Sequence, residues 1–99
     1  MSKLQTVGEL RTKLTPVFDA YGVHSATVFG SVAKGTATEH SDLDLLVDSG
    51  LRGLRFVGLM EAVREVVQRP VDVLDVTHIE AGSLIEQEIR KTGVRIYEK

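Results

Sequence analysis

The apolar residues of the chain fall into stretches whose spacing is helical in some places and extended in others. Apolar residues recur at helical spacing over residues 7–21, 54–67 and 83–91, which predicts three helices. Leu54 and Val57 belong to the apolar stripe of the second helix, and the apolar residues of the third, Leu84, Ile85 and Ile89, are expected in the core. Short apolar runs with β-branched residues at 26–29, 43–47, 71–76 and 94–97 predict four strands. The order helix, strand, strand, helix, strand, helix, strand predicts an α/β (α+β) fold with a small mixed sheet of about four strands.

The ends of the first helix carry recognisable signals. Thr6 followed by Glu9 fits a capping box, and Gly22 fits a helix stop. Pro16 lies inside the apolar period, where a proline removes a hydrogen bond and crowds the preceding turn. The pattern therefore allows either a kink or a restart with Thr15 as the cap.

Two acids one residue apart, Asp42 and Asp44, open the second predicted strand. Alternation along a strand places both side chains on one face, with Cα atoms ~7 Å apart. Carboxylate oxygens are the ligands that Mg²⁺ prefers, and two-metal phosphoryl enzymes gather carboxylates in this way. The alternative interpretation is a pair of acids at a turn, with Ser41 and Asp42 capping a loop.

A third carboxylate is expected from the third strand, which carries Asp72 and Asp75. These residues are three apart, so they point to opposite faces and only one can join the acids of the second strand. We favour Asp72, because an acid between apolar neighbours in a strand needs a compensating metal or hydrogen bond. Asp48 shares the parity of Asp44 but lies at the far end of its strand, where a solvated terminus is expected.

A Gly-Ser turn, Gly30-Ser31, directly follows the first predicted strand, and residues 31–34 fit a brief helical turn before Gly35. Glycine lets a phosphate approach the backbone, and Ser31 can donate its N–H and hydroxyl. The spacing of the two glycines resembles a P-loop, but Thr36 and Ala37 follow where that motif requires Lys and Ser or Thr. The alternative is a plain turn between a strand and a helix.

Composition limits the remaining functions. Ninety-nine residues predict a single domain over 1–99. The net charge is -2 and the twelve basic residues are scattered, which gives no support for direct nucleic-acid binding. The absence of cysteine excludes disulfides and thiolate metal sites. No apolar run approaches the ~20 residues of a membrane span. A cytoplasmic protein is therefore expected. The three histidines lack ligand spacing, although His40 is near the acids.

The chain resembles the DNA polymerase β-like nucleotidyltransferases in three stretches taken together, which read FGSVAKG, SDLDLLV and PVDVL. The similarity is closest to the small stand-alone minimal nucleotidyltransferases, including the MntA-type antitoxins, and covers nearly the whole chain. The resemblance implies a polymerase β palm-like fold. It also implies that Asp42, Asp44 and Asp72 bind two Mg²⁺ ions, with Asp72 acting as base on the acceptor hydroxyl.

The same resemblance implies nucleotide binding by Gly30, Ser31, Lys34, Gly35 and Ser41, with ATP as the substrate. Stand-alone members are commonly paired with a HEPN-domain ribonuclease toxin. The implied activity is transfer of AMP to a tyrosine of that partner, which silences it within a hetero-oligomer. Two alternatives remain: an antitoxin that acts by binding alone, and nucleotidyl transfer to a small molecule.

The chain departs from the family pattern at two positions. Many members carry Arg after Gly-Ser and again before the second Gly, whereas this chain has Val32 and Lys34. Lysine contacts phosphate as a point charge without the planar fork of Arg. A solvated loop lysine is the alternative interpretation of Lys34.

Overall fold

The fold is that of a computed structural model, which describes residues 6–38 and 40–99. Within these residues lie four α-helices, one 3₁₀ turn and four strands. In chain order they are α1 (Val7–Tyr21), β1 (Ser25–Phe29), α2 (Ser31–Lys34), β2 (Leu43–Asp48), α3 (Leu54–Val67), β3 (Val71–Asp75), the 3₁₀ turn Val76–His78, α4 (Leu84–Thr92) and β4 (Val94–Glu98). The predicted α/β fold with a four-stranded mixed sheet is confirmed, and the brief helical turn expected at residues 31–34 forms α2, beside the three predicted helices.

The strands form one sheet in the order β3-β2-β1-β4. β1 runs antiparallel to both β2 and β4, whereas β2 and β3 are parallel. A parallel pair needs a crossover, and α3 supplies it between β2 and β3. The start of β2 therefore lies beside the start of β3 and beside the end of β1.

One face of the sheet packs against α1 and α3. The alternate residues of β2 that point to this face are fully buried, as are stripes of residues spaced by four on each helix. These buried residues are Leu43, Leu45 and Val47 on β2, Leu10, Leu14 and Phe18 on α1, and Leu59, Val63 and Val67 on α3. The other face of β2 carries Asp44, Leu46 and Asp48, and there Leu46 lines a cleft together with Ile89 of α4.

Helix α1 runs without interruption through Pro16, so the restart at Thr15 does not occur. The predicted capping box is present: the Thr6 hydroxyl accepts from the Glu9 N–H, and the Glu9 carboxylate accepts from the Thr6 N–H. Gly22 ends the helix in the left-handed conformation, with φ 68°. None of the described helices is long and apolar enough to cross a membrane.

Some expectations from the sequence are wrong. β3 ends at Asp75 rather than Val76, which begins the 3₁₀ turn. Leu54 and Val57 were expected on the apolar stripe of α3, but they are 89% and 47% exposed. The apolar residues of α4 were expected in the core, yet Leu84 is 82% exposed and α4 contains no fully buried residue.

Candidate active site

The acids of β2 and β3 meet at one end of the sheet. Asp44 and Asp72 are the second residues of adjacent parallel strands and are direct register partners. Both lie on the face opposite the α1 and α3 core, since their neighbours along each strand are buried. Asp42 precedes β2 and is exposed. The three predicted acids therefore lie at one end of the sheet, which we call the acidic edge, and Asp75 lies at the opposite end of β3.

The Gly-Ser turn is in direct contact with this edge. Gly30 follows β1, whose last residue, Phe29, is the register partner of Asp44. A Cβ added at Gly30 would lie 2.6 Å from Oδ2 of Asp44. The Asp44 carboxylate thus occupies the space that a larger residue at position 30 would need. Gly30 also has φ 75° and ψ -150°, a conformation that is essentially restricted to glycine.

The electrostatic surroundings of Asp44 are negative. Burial raises the pKa of the Asp44 carboxyl, and the nearby charges of Asp72, Asp42 and Glu88 raise it further. Like charges at close range disfavour the ionised form, and a bound cation would reverse this effect. The described residues contain no group of three or more His, Cys, Asp or Glu side chains already arranged to hold a metal ion. The carboxylates are therefore neighbours that have not converged on one point.

The turn itself is short and is held at both ends. α2 spans Ser31–Lys34, and Gly35 closes it with φ 76°. The Lys34 ammonium lies 3.6 Å from a carboxylate oxygen of Glu88 on α4. The Gly30 N–H donates to the hydroxyl of Thr92 at 2.8 Å. Neither Glu88 nor Thr92 was singled out from the sequence, because no local pattern links α4 to a turn more than fifty residues earlier.

Val32, the residue that departs from the family pattern, has its side chain buried in the hydrophobic core at 7% exposure. It therefore packs against the protein interior rather than facing the acids. Lys34 is the basic residue that α2 contributes to this edge.

Thr38 and Ser41, which precede Asp42 in the chain, are hydrogen-bonded to each other and to Arg69. The Ser41 hydroxyl accepts from the Thr38 N–H at 2.9 Å. The Arg69 guanidinium donates to the carbonyl of Thr38 at 3.1 Å and also to the carbonyl of Ser41. Ser41 and Arg69 thus hold the described residues of this loop, and Arg69 was not identified from the sequence as part of the site.

Asp75 has a structural role at the opposite end of β3. It is 3% exposed and accepts from the N–H and hydroxyl groups of both Ser49 and Thr77. Burial alone would raise the pKa of this carboxyl, but these hydrogen bonds outweigh it and lower the pKa to about 2. The His78 Nδ1 accepts from the Asp75 N–H, so this histidine caps the 3₁₀ turn.

A cavity of about 460 Å³ lies near Asp75, between the ends of β2 and β3 and the start of α3. Arg52, Phe56 and His78 are among the residues that line it. The acids of the candidate site are at the other end of the same two strands. The acids that line this cavity are Asp48 and Asp75, and Asp75 is already satisfied by four hydrogen bonds.

Carboxylates beside a glycine turn suit the binding of a nucleoside triphosphate, with hard oxygen ligands for a cation and backbone space for phosphates. The arrangement therefore suits phosphoryl or nucleotidyl transfer. The family model "Polymerase beta, Nucleotidyltransferase" matches residues 12–99. The chain thus belongs to the polymerase beta nucleotidyltransferase family and is a nucleotidyltransferase.

Individual relatives agree with this assignment. The chain is 36% identical over 92 residues to a Methanocaldococcus jannaschii protein named "Putative protein adenylyltransferase", covering 91% of this chain and 97% of that protein. It is also similar to a solved structure described as a "putative minimal nucleotidyltransferase", with 26% identity, a TM-score of 0.73, and coverage of 94% of this chain and 98% of the other.

The fold recurs in toxin–antitoxin structures of lower sequence identity. A crystal structure of a toxin–antitoxin with AMP-PNP matches with a TM-score of 0.75 at 18% identity, over 90% of this chain and 73% of the other. A structure of the tri-AMPylated Shewanella oneidensis HEPN toxin in complex with the MNT antitoxin matches with a TM-score of 0.70 at 14% identity, over 95% and 74% of the two chains. At these identities the match concerns the fold.

Proposed function

We propose that this chain transfers AMP from ATP to a tyrosine hydroxyl of a HEPN-domain toxin and thereby acts as its antitoxin. The observation that carries the proposal is the seating of the Asp44 carboxylate against Gly30, in register with Asp72. This contact joins the acidic edge to the turn. The name of the Methanocaldococcus relative supports adenylyl transfer. The match in fold to the solved complex of a tri-AMPylated HEPN toxin with an MNT antitoxin supports the choice of partner.

The acids fit a divalent cation by their chemistry. Asp42, Asp44 and Asp72 offer only hard oxygen donors. A bound cation would relieve the repulsion that, together with burial as the larger cause, raises the pKa of Asp44. We assign these three residues to Mg²⁺, two ions in all. When bound, Mg²⁺ supplies charge stabilisation to the attacking and leaving oxygens of an in-line displacement.

The protein's own residues then have separate tasks. Ser31 donates its N–H and hydroxyl to the triphosphate, and Lys34 adds a positive charge next to it. Asp72 accepts the proton of the attacking tyrosine hydroxyl, whose oxygen forms a bond to the α-phosphorus while pyrophosphate leaves. Gly35 closes the turn, and Ser41 holds the loop that carries Asp42.

The test is intact-mass spectrometry of the protein with a HEPN protein from the same genome, ATP and Mg²⁺. We expect a mass gain of whole AMP units on the partner. The Asp42→Asn, Asp44→Asn double variant should give none. Asp48→Asn is the matched control, since it removes an acid of the same strand face at the far end of β2 and should keep the transfer.

Two outcomes would contradict the proposal. A stable complex in which neither protein gains mass, together with full neutralisation by the double variant, would favour an antitoxin that acts by binding alone. A mass gain on a small hydroxyl compound, with none on the partner, would favour the small-molecule reaction.

A further inference from the structure

The last turn of α4 is tied to the glycine turn by one side chain. The Thr92 hydroxyl accepts from the Gly30 N–H at 2.8 Å and donates to the carbonyl of Glu88 at 2.8 Å. The second bond fixes the orientation of the hydroxyl, so its lone pair faces the turn. Gly30 is buried and Thr92 is partly buried, so water competes weakly for this N–H.

This contact decides which donors of the turn remain for a ligand. Because its N–H is bound to Thr92, Gly30 does not offer a donor to a phosphate. The ion pair of Lys34 with Glu88 is a second contact between α4 and the turn, but both side chains are about half exposed. Exposed ion pairs contribute little to a conformational preference. The hydrogen bond to Thr92 is therefore the stronger constraint.

Gly30 needs such a constraint. Its backbone has φ 75° and ψ -150° and lies against the Asp44 carboxylate. Glycine has no side chain that would favour this conformation over others. An untied turn would populate several conformations. The affinity for a ligand falls in proportion to the fraction of molecules in the binding-competent conformation.

We propose that Thr92 is a positioning residue that holds the Gly30–Ser31 turn in its nucleotide-binding conformation against Asp44. It acts through the Gly30 amide and does not touch the nucleotide. The inference rests on the proposed function, in which this turn binds the triphosphate. It adds a requirement that the acids and the turn alone do not include, namely that α4 must be docked for the turn to bind.

The experiment compares Thr92→Val, which keeps the shape and removes the hydroxyl, with Thr92→Ser, which keeps the hydroxyl. Thr12→Val is the matched control, because the Thr12 hydroxyl of α1 donates to the carbonyl four residues earlier, that of Gly8, in the same way. Affinity for AMP-PNP with Mg²⁺ is measured by calorimetry well below the unfolding temperature. Exchange of the Gly30 amide proton is followed by NMR without nucleotide.

We expect Thr92→Val to weaken AMP-PNP binding about tenfold, the usual effect of leaving a buried amide without its acceptor. Its Gly30 amide should exchange faster by a similar factor. Thr92→Ser and Thr12→Val should bind AMP-PNP within about twofold of the wild-type protein, a change smaller than that of one net hydrogen bond.

The possible failures are distinguishable. If the wild-type protein binds AMP-PNP and Thr92→Val binds it equally well, the inference is overturned and the proposed function is untouched. Equal weakening by Thr92→Val and Thr12→Val would also overturn it, since the effect would then follow from general helix stability. If the wild-type protein does not bind AMP-PNP, the proposed function fails and the inference fails with it.

Discussion

Replacement of Gly30 by alanine separates the stability of the fold from the function of the site. The conformation at Gly30, with φ 75° and ψ -150°, costs a residue with a side chain of order 1–3 kcal/mol. For a domain of this size, 1 kcal/mol corresponds to roughly 4–8 °C in the unfolding temperature. Gly30→Ala should therefore lower the unfolding temperature by roughly 5–20 °C.

The added methyl group also displaces a carboxylate. The Asp44 oxygen would have to move from 2.6 Å to at least 3.4 Å from the new Cβ, a shift of about 0.8 Å. The end of a side chain can make this movement at little cost in stability. Displacements of about 1 Å in a catalytic group can nevertheless lower a rate by about 10²-fold. We therefore expect nucleotide transfer by Gly30→Ala to fall by about two orders of magnitude.

Gly22→Ala is the matched control for this prediction. Gly22 also has a positive φ, 68°, but no atom lies within 4 Å of its added Cβ, and it is at the end of α1. Its strain should cost about 1–2 kcal/mol without loss of transfer. Thermal unfolding by circular dichroism and AMP transfer by intact mass are compared at a temperature where both variants are folded. Transfer by Gly30→Ala within about threefold of Gly22→Ala would refute the argument that the Asp44 carboxylate acts from this position.

Three further predictions concern Asp75, Arg69 and the binding of Mg²⁺ by the acids. The hydrogen bonds that lower the pKa of Asp75 from 3.8 to about 2 stabilise the fold by about 2 kcal/mol above pH 4, and this stability is lost as the pH falls through 2. Urea unfolding of Asp75→Asn should therefore show a deficit at pH 7 that shrinks towards pH 2, and a constant deficit would contradict this origin. Arg69→Met removes the donor to the Ser41 carbonyl and should slow transfer several-fold, measured by intact mass, and it should lower the free energy of unfolding by about 1–2 kcal/mol. Mg²⁺ should raise the unfolding temperature of the wild-type protein, reversibly with EDTA, but not that of Asp42→Asn, Asp44→Asn; equal shifts in both would argue against a metal site at these acids.

The elements were predicted almost completely, because their ends carry local signals. The capping box at Thr6 and the stop at Gly22 define α1, and Pro70 separates α3 from β3. Burial was predicted less well. Helical spacing shows which stripe of a helix an apolar residue belongs to, but it does not show whether another element covers that stripe. The exposure of Leu54 and Leu84 was therefore not predicted.

At the candidate site, strand alternation was sufficient to separate Asp72 from Asp75, because the two faces of a strand have different neighbours whatever the order of the sheet. The geometry puts Asp72 beside Asp44 and surrounds Asp75 with hydrogen-bond donors from Ser49 and Thr77. The reason for favouring Asp72 was wrong, however, because Asp72 is exposed and Asp75 is the buried acid that hydrogen bonds compensate.

The state of the Gly30 amide shows where local rules stop. From the sequence, a glycine turn after a strand suggests free backbone N–H groups for a phosphate. In the fold, the Gly30 N–H already has an acceptor, the Thr92 hydroxyl, 62 residues away in the chain. The motif thus predicts the chemistry of the ligand, whereas the donors available to that ligand depend on how α4 docks. Since α4 contains no fully buried residue, the tie from Thr92 to the turn is a specific contact rather than a consequence of core packing.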